Sequence, residues 1–170
     1  MVRNKIDLIT VPNPLLRQKS KEVKISEIKK KEFIEFLKIM AKIMDDYDGI
    51  GLSAIQLGVP KKVFIIKKDF EKEGFDKNDS LSEVIVYINP QILDYSQEKE
   101  EGWEGCLSIP NIECLVERSK RIKVKYLDVY GNEIIEELDQ LRAIVFQHEY
   151  DHTQGILIID KAKEIKEAGD

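Results

Sequence analysis

The only two histidines of the 170-residue chain lie four residues apart, in the segment His148-Glu149-Tyr150-Asp151-His152. On an α-helix this spacing places both imidazoles on one face, one turn apart, so that one metal ion can bind a nitrogen from each. Glu149 lies at the edge of that face, where a carboxylate can accept a proton from a water molecule without binding the metal itself. The segment therefore predicts a hydrolytic metal site.

The residues before this segment favour a helix with an apolar face. Leu141, Ile144 and Val145 precede His148 by seven, four and three residues, so their side chains share its side of the helix. A His-x-x-x-His pair also arises by chance in a charged helix. The apolar neighbours favour a metal site over a chance pair, with the ion bound against a hydrophobic wall.

The composition excludes several classes of protein. A chain of 170 residues is predicted to form a single catalytic domain, 1–170, because about this length can bury most of its surface in one core. No apolar run approaches the ~20 residues of a membrane span, so no membrane partner is expected. The net charge of −5 argues against stable nucleic-acid binding, which requires cationic groups to neutralise phosphates. The first seven residues lack the apolar segment of a secretory signal, which predicts a cytoplasmic location.

The elements that must position the histidines are predicted from periodicity and turn residues. Apolar residues at three- and four-residue steps predict an amphipathic helix over 26–48, with Ser26 as its N-cap and Gly49 as its stop. Gly155 is predicted to mark the end of the motif helix. A charged segment over 67–82 is predicted to be an exposed loop, and 160–167 a short charged helix. Strands are predicted over 63–66, 84–88, 112–116, 122–130 and 134–138, the last two as an antiparallel hairpin.

A catalytic metal usually has three protein ligands and one open position, so a third ligand is required. The pattern His-Glu-x-x-His-x-x-Gly-x-x-His is excluded, because Gly155 is present but Ile158 occupies the position of the last histidine. A glutamate from a second helix downstream is not expected either, since only a short tail follows the motif. Cys106, between a glycine and a Ser-x-Pro turn, is the best upstream candidate, although this context also suits a buried small hydrophobic residue.

A stretch of small and apolar residues over 49–60 contains a single amide side chain, that of Gln56. Gly49 and Gly51 are not followed by Gly-Lys-Ser or Gly-Lys-Thr, which argues against a nucleotide-binding loop. Glycines allow the backbone to approach another group closely. We therefore expect Gln56 to be the polar side chain that reaches into a site.

Three blocks of the chain, in this order, resemble the signature motifs of the peptide deformylase family. They are Gly-Ile-Gly-Leu-Ser-Ala-Ile-Gln at 49–56, Glu-Gly-Cys-Leu-Ser at 104–108 and Gln-His-Glu-Tyr-Asp-His at 147–152. The resemblance implies an α+β fold with antiparallel β-sheets around a central metal-binding HExxH helix. It also implies removal of the formyl group from the N-terminal formylmethionine of newly synthesised polypeptides, with release of formate. Ser53 departs from the alanine usual at its position, which implies a difference in local packing.

The resemblance further implies roles for particular residues. The implied metal ligands are Cys106, His148 and His152, which would hold one divalent ion, commonly Fe(II), with zinc, nickel or cobalt also accepted. Glu149 would be the general base and acid, and Gln56 with the main-chain N–H of Leu107 would hold the carbonyl oxygen. The residues predicted to bind the substrate around its methionine side chain are Ile50, Gly51, Gly105, Leu141, Ile144 and Val145.

The implied partners are N-formylmethionyl nascent peptides, with a transient contact to the ribosome. Two alternatives stay open: a metallopeptidase that cuts internal peptide bonds, and a non-catalytic binding module with a structural metal. The second would normally use four protein ligands and would not need Glu149. Asp151 is a poor fourth ligand, because a closed site could not hold water. We predict instead that Asp151 pairs with Arg118 and anchors the motif helix.

Overall fold

The computed structural model describes residues 6–169, which form four α-helices and eight strands. The helices are α1 (Ile25–Ile28), α2 (Lys31–Asp46), α3 (Gln140–Thr153) and α4 (Ile158–Lys161). The strands are β1 (Gly51–Ser53), β2 (Val63–Lys67), β3 (Val84–Tyr95), β4 (Lys99–Cys106), β5 (Ile109–Ser119), β6 (Arg121–Leu127), β7 (Glu133–Asp139) and β8 (Glu164–Glu167). Short 3-10 turns cover Pro14–Arg17, Ala54–Leu57 and Ser80–Glu83. Within the described part of the chain, no helix is both long and apolar enough to cross a membrane.

The strands form two antiparallel sheets, which confirms the predicted α+β class. The larger sheet has the order β1-β2-β3-β6-β7 and the smaller one the order β4-β5-β8. The predicted hairpin over 122–130 and 134–138 is confirmed by the antiparallel pairing of β6 with β7. Residues 1–5 and 170 of the predicted domain lie outside the described residues. Residues 1–5 include most of the segment in which a secretory signal was not expected.

Helices α2 and α3 cover opposite faces of the larger sheet, because successive strand residues point to opposite sides. In β2, Val63 and Ile65 belong to the apolar cluster that includes α2, whereas Phe64 belongs to the cluster that includes α3. Phe146 of α3 meets the rings of Phe64 and Tyr87 edge to face, with centroids 5.0 Å apart in both pairs. This aromatic packing fixes α3, the motif helix, against the sheet.

The helix predicted over 26–48 is interrupted, so the prediction of Ser26 as its N-cap is wrong. Ser26 lies inside α1, and α2 begins only after Lys30, whose backbone is extended (φ −73°, ψ 140°). The interruption lets Ile28, at the end of α1, and Phe33, in α2, pack into the same apolar cluster. Burial of both side chains outweighs the continuity of one longer helix.

The predicted helix stop at Gly49 is also wrong in detail. Helix α2 ends at Asp46, and Asp48 is the residue that adopts the left-handed conformation, with φ of 53°. The N–H of Gly49 then donates to the carbonyl of Met44 at 2.8 Å and closes the helix end. The predicted end of the motif helix near Gly155 is confirmed, since α3 ends at Thr153 and Gly155 has φ of 74°.

Strands β3 and β4 are among those that differ from the prediction. Strand β3 continues through Asn89-Pro90, a pair of residues typical of turns, by means of a left-handed Asn89 (φ 50°) and a register shift between Ile88 and Gln91. Such a bulge accommodates a proline that has no N–H to donate. Strand β4 was not predicted, because its run of glutamates and glycines carries no strand propensity and depends on pairing with β5.

The charged helix predicted over 160–167 is wrong. Its first residues complete α4, and Glu164–Glu167 forms β8, which pairs antiparallel with β5. Pairing with β8 satisfies main-chain groups along the β5 edge that would otherwise remain open. This tertiary contact overrides the helical preference of the lysines and glutamates. The loop predicted over 67–82 is largely irregular, with Lys67 at the end of β2 and a 3-10 turn from Ser80.

Candidate metal centre

Three donor side chains from two distant elements converge at one point. Cys106 is the last residue of β4, and His148 and His152 lie one turn apart on α3. Their ligand atoms all lie within 4.8 Å of one another, and Cys106 Sγ is 3.4 Å from His152 Nε2. Metal–sulfur and metal–nitrogen bonds of about 2.3 and 2.1 Å at a tetrahedral angle separate such donors by about 3.6 Å. The three side chains therefore fit one metal ion.

A bulge at the end of β4 directs Cys106 towards the helix. Gly105 pairs with Glu113, but Cys106 pairs with Ile109, so the register shifts between the two neighbouring residues. Such a shift re-aims a side chain at the end of a strand. The backbone at Cys106 is thus a bulge that precedes the hairpin turn to β5. The other cysteine, Cys114, is fully buried in β5 and packs in an apolar cluster.

Glu104 orients the ring of His148. Its Oε2 atom lies 2.9 Å from His148 Nδ1, which leaves Nε2 to face the other donors. A carboxylate on the far nitrogen of a metal-binding histidine fixes both the ring and its tautomer. Sequence reasoning missed this residue, although Glu104 precedes Cys106 by only two positions in the chain.

Arg118 holds Glu104 and the motif helix at the same time. It donates from Nε to Glu104 Oε1 at 2.8 Å, from Nη2 to Oε2 at 2.9 Å, and from Nη1 to Asp151 Oδ2 at 2.6 Å. The predicted pairing of Arg118 with Asp151 is therefore confirmed. Lys161 adds a further contact with Asp151 at 3.0 Å.

The buried charges shift the pKa values of these groups in definite directions. Burial raises the pKa of Glu104, but hydrogen bonds from Arg118 and His148 outweigh it and hold that pKa at about 2. Burial also lowers the pKa of His152 well below its ordinary value, so its ring is neutral and its nitrogen lone pair can bind a metal. Burial lowers the pKa of His148 as well, yet contacts with Cys106 and Glu104 reverse this and raise it well above the ordinary value. The Glu104 carboxylate beside His148 thus favours positive charge at this point, whether a proton or a metal ion carries it.

Glu149 lies beside the donors and is 3% exposed. Burial raises the pKa of its carboxyl group above the ordinary value. The backbone of Gly51 lies directly against it, since a Cβ atom at Gly51 would be 2.6 Å from Glu149 Oε1 and 2.9 Å from Val145 Cγ1. Only glycine fits this approach, which is the close contact that the sequence predicted for the glycine-rich stretch.

Gln56 reaches the same centre from the other side. It lies in the 3-10 turn Ala54–Leu57, is 1% exposed, and donates from Nε2 to Ser108 Oγ at 3.1 Å. The same nitrogen is 3.8 Å from Cys106 Sγ. Leu107 follows Cys106 in the hairpin turn, and its side chain packs against the apolar cluster around α2. The amide of Gln56 and the main chain of Leu107 therefore both lie next to Cys106.

The remaining residues predicted to bind substrate differ in their surroundings. Val145 is buried with the aromatic cluster of α3, whereas Ile144 is half-buried. Ile50 and Leu141 are 37% and 46% exposed, so they present apolar side chains to solvent. Gly105 has open space where a Cβ atom would lie. The structure thus brings Gly51 and Val145 to Glu149 and leaves Ile50 and Leu141 at the surface.

Comparison with known proteins identifies relatives of the whole fold. The family model for polypeptide deformylase matches residues 6–168. A peptide deformylase from Fusobacterium nucleatum is 44% identical over 147 residues, which cover 86% of this chain and 78% of the relative. The crystal structure of peptide deformylase from Thermotoga maritima matches with a TM-score of 0.81 at 36% identity. The match covers 94% of this chain and 98% of the Thermotoga chain. A Met-Ala-Ser-bound peptide deformylase from Acinetobacter baumannii matches with a TM-score of 0.82 at 28% identity. The match covers 92% of this chain and 97% of the Acinetobacter chain.

The fold and these relatives define the protein as a metal-dependent hydrolase. Its Cys-His-His donor set beside a buried glutamate agrees with that class. The chain belongs to the polypeptide deformylase family, whose members remove the formyl group from N-terminal formylmethionine.

We predict that Arg118→Leu destabilises the protein strongly. The change leaves Glu104 and Asp151 as buried carboxylates without their guanidinium partner, which typically costs about 3–5 kcal/mol. Urea unfolding of the variant and the parent protein measures the loss.

Arg17→Leu is the matched control for this prediction. Arg17 also pairs with an aspartate, Asp160, but both side chains are more than a third exposed, so the loss should stay below about 1 kcal/mol. Equal losses in the two variants would show that the buried network does not anchor the helix.

Proposed function

We propose that residues 1–170 act as one catalytic domain that hydrolyses the formyl amide of N-formylmethionyl nascent peptides and releases formate. The observation that carries this proposal is the set of three donor atoms within 4.8 Å of one another, next to a carboxylate that is 3% exposed. Amide hydrolysis needs an activated water, a group that moves protons and donors for the developing oxyanion. The site offers a residue for each task.

Cys106, His148 and His152 would hold one divalent ion, and we propose Fe(II) as that ion. Zinc, nickel and cobalt also suit one thiolate and two imidazoles. When bound, the ion supplies Lewis acidity, which makes a nearby water a better acid and polarises a carbonyl group. Glu104 and Arg118 keep His148 oriented towards the ion, as the carboxylate of such a triad does elsewhere.

Glu149 moves the protons of the reaction. Its Oε2 atom is engaged by Ser53, so Oε1 is the atom that accepts a proton from the attacking water. The same oxygen then donates this proton to the amine nitrogen that leaves when the formyl group is released. Burial raises the pKa of Glu149, which suits a carboxylate that must both accept and return a proton.

Gln56 Nε2 and the main-chain N–H of Leu107 would donate to the formyl oxygen. Negative charge grows on this oxygen in the transition state, and fixed donors stabilise it without reorganisation. Gln56 is already fixed, because its Oε1 accepts from the N–H of Ser53 at 2.9 Å. Its Nε2 therefore points towards Cys106 rather than into solvent.

Apolar residues around the site would contact the methionine side chain. Exposed apolar side chains next to a catalytic group offer a surface on which a substrate can pack. The residues proposed for this contact are Ile50, Gly51, Gly105, Leu141, Ile144 and Val145. Because nascent peptides are formylated where they are made, we also propose a cytoplasmic location and a transient ribosome contact, which co-sedimentation with ribosomes tests.

The decisive experiment is formate release from an N-formyl-Met peptide by the Fe(II)-loaded protein. We expect formate from the formylated peptide, and loss of the activity when a chelator removes the metal. An unformylated longer peptide is the control, because a general metallopeptidase would cut it. Cleavage of that peptide, or no formate at all, would overturn the proposal.

Glu149→Ala should retain the metal and lower kcat by about 10²- to 10⁴-fold, the usual contribution of a general base. Metal content and formate release are measured on the same sample. Glu137→Ala, which removes an exposed carboxylate from β7, should leave both unchanged. A metal-loaded Glu149→Ala protein with full activity would contradict the assigned role.

Gln56→Ala should lower kcat by about 10²- to 10³-fold, because an oxyanion donor acts in the transition state. Steady-state kinetics separate this from a role in binding, which would raise KM alone. Gln91→Ala removes an exposed amide from β3 and serves as the control.

A further inference from the structure

We propose that Ser53 is a positioning residue for deformylation, because its hydroxyl group holds the carboxylate of Glu149 in the orientation that proton transfer requires. This inference rests on the role proposed above for Glu149. Among the described residues, the hydroxyl group of Ser53 forms hydrogen bonds to Glu149 and to none of the three donor side chains, so its proposed effect passes through Glu149.

The hydroxyl of Ser53 lies within hydrogen-bond distance of two oxygen atoms of Glu149. Its Oγ atom is 2.7 Å from the carboxylate Oε2 and 3.1 Å from the main-chain carbonyl oxygen. A hydroxyl has one proton, and a charged acceptor gives the shorter and stronger bond. The proton of Ser53 is therefore donated to Oε2, which leaves Oε1 as the oxygen that moves protons.

The geometry of β1 explains how Ser53 and Gly51 together restrain the carboxylate of Glu149. Gly51 and Ser53 lie two residues apart on the strand, so they face the same side. Both pair with residues of β2 that point towards α3, since Gly51 lies opposite Ile66 and Ser53 opposite Phe64. Gly51 limits the space around Oε1, while Ser53 bonds Oε2. The side chain is thereby restrained on both oxygens.

Burial strengthens the hydrogen bond between Ser53 and Glu149. Ser53 is 1% exposed and Glu149 is 3% exposed, so water does not compete for either group. Without this donor the buried carboxylate would sample other rotamers. Orientation of the proton-accepting oxygen would then be lost in a fraction of the molecules, which lowers turnover without changing substrate binding.

Ser53 also fixes Gln56, but through a different atom. The main-chain N–H of Ser53 donates to Gln56 Oε1 at 2.9 Å, whereas the bond to Glu149 uses the side chain. Ser53→Ala therefore removes the contact with Glu149 and keeps the contact with Gln56. The substitution isolates the proposed effect within one residue.

The test is a double-mutant cycle of Ser53→Ala and Glu149→Ala in the Fe(II)-loaded protein, with formate release from an N-formyl-Met peptide as the readout. In the parent protein Ser53→Ala should lower kcat by about 10-fold, the scale of one hydrogen bond to a charged group, with KM and metal content unchanged. In the Glu149→Ala protein the same change should alter kcat by less than about 2-fold, because the group it positions is absent.

Urea unfolding of the same four proteins gives a readout that needs no turnover. Ser53→Ala should lower the unfolding midpoint more in the parent protein than in the Glu149→Ala protein. Ser20→Ala is the control, because the buried Ser20 hydroxyl has no hydrogen-bond partner among residues 6–169. The Ser20→Ala variant should leave kcat unchanged.

Each remaining outcome overturns the positioning role. An unchanged kcat, an equal loss in both backgrounds, or a loss that follows metal content or KM would show that Ser53 does not act through Glu149. If the parent protein releases no formate, the proposed function fails first and this inference fails with it. Formate release by the parent, together with any of the former results, rejects the inference alone.

Discussion

The buried ionic network around Arg118 is the constraint on which the site depends. Its guanidinium group is 3% exposed and binds Glu104 and Asp151, so it joins the hairpin that carries Cys106 to the helix that carries His148. A buried charge cluster of this kind is costly unless every member is paired. The two elements are therefore held in one relative arrangement, and the three donor atoms meet only in that arrangement.

The larger sheet positions the groups that surround the three donor atoms. Aromatic packing by Phe146 fixes α3 on one face, and the same face of β1 turns Gly51 and Ser53 towards Glu149. The turn that follows β1 then brings Gln56 to the metal centre. One strand edge thus positions both the proton-transfer group and the proposed oxyanion donor, while the smaller sheet delivers the thiol.

Much of the fold was predictable where local pattern and tertiary structure agree. The motif helix, its end near Gly155, the β6-β7 hairpin and the pairing of Arg118 with Asp151 were predicted correctly. The predictions failed where a distant partner decides. Strand β8 forms from a sequence with helical preference because β5 offers it an open edge, and α1 separates from α2 because Ile28 and Phe33 pack into one core.

The sequence by itself determined the chemistry, since two histidines four apart, a glutamate and an upstream cysteine specify the donor types and their order along the chain. Only the tertiary structure decided which groups orient them. His148 is oriented by a residue 44 positions away, Asp151 by one 33 positions away, and Glu149 by a hydroxyl 96 positions away. Neither propensity nor periodicity records such contacts, because both describe neighbours along the chain. Ser53, which the sequence indicated only as a difference in packing, becomes a hydrogen-bond donor to Glu149 once β1 lies against α3.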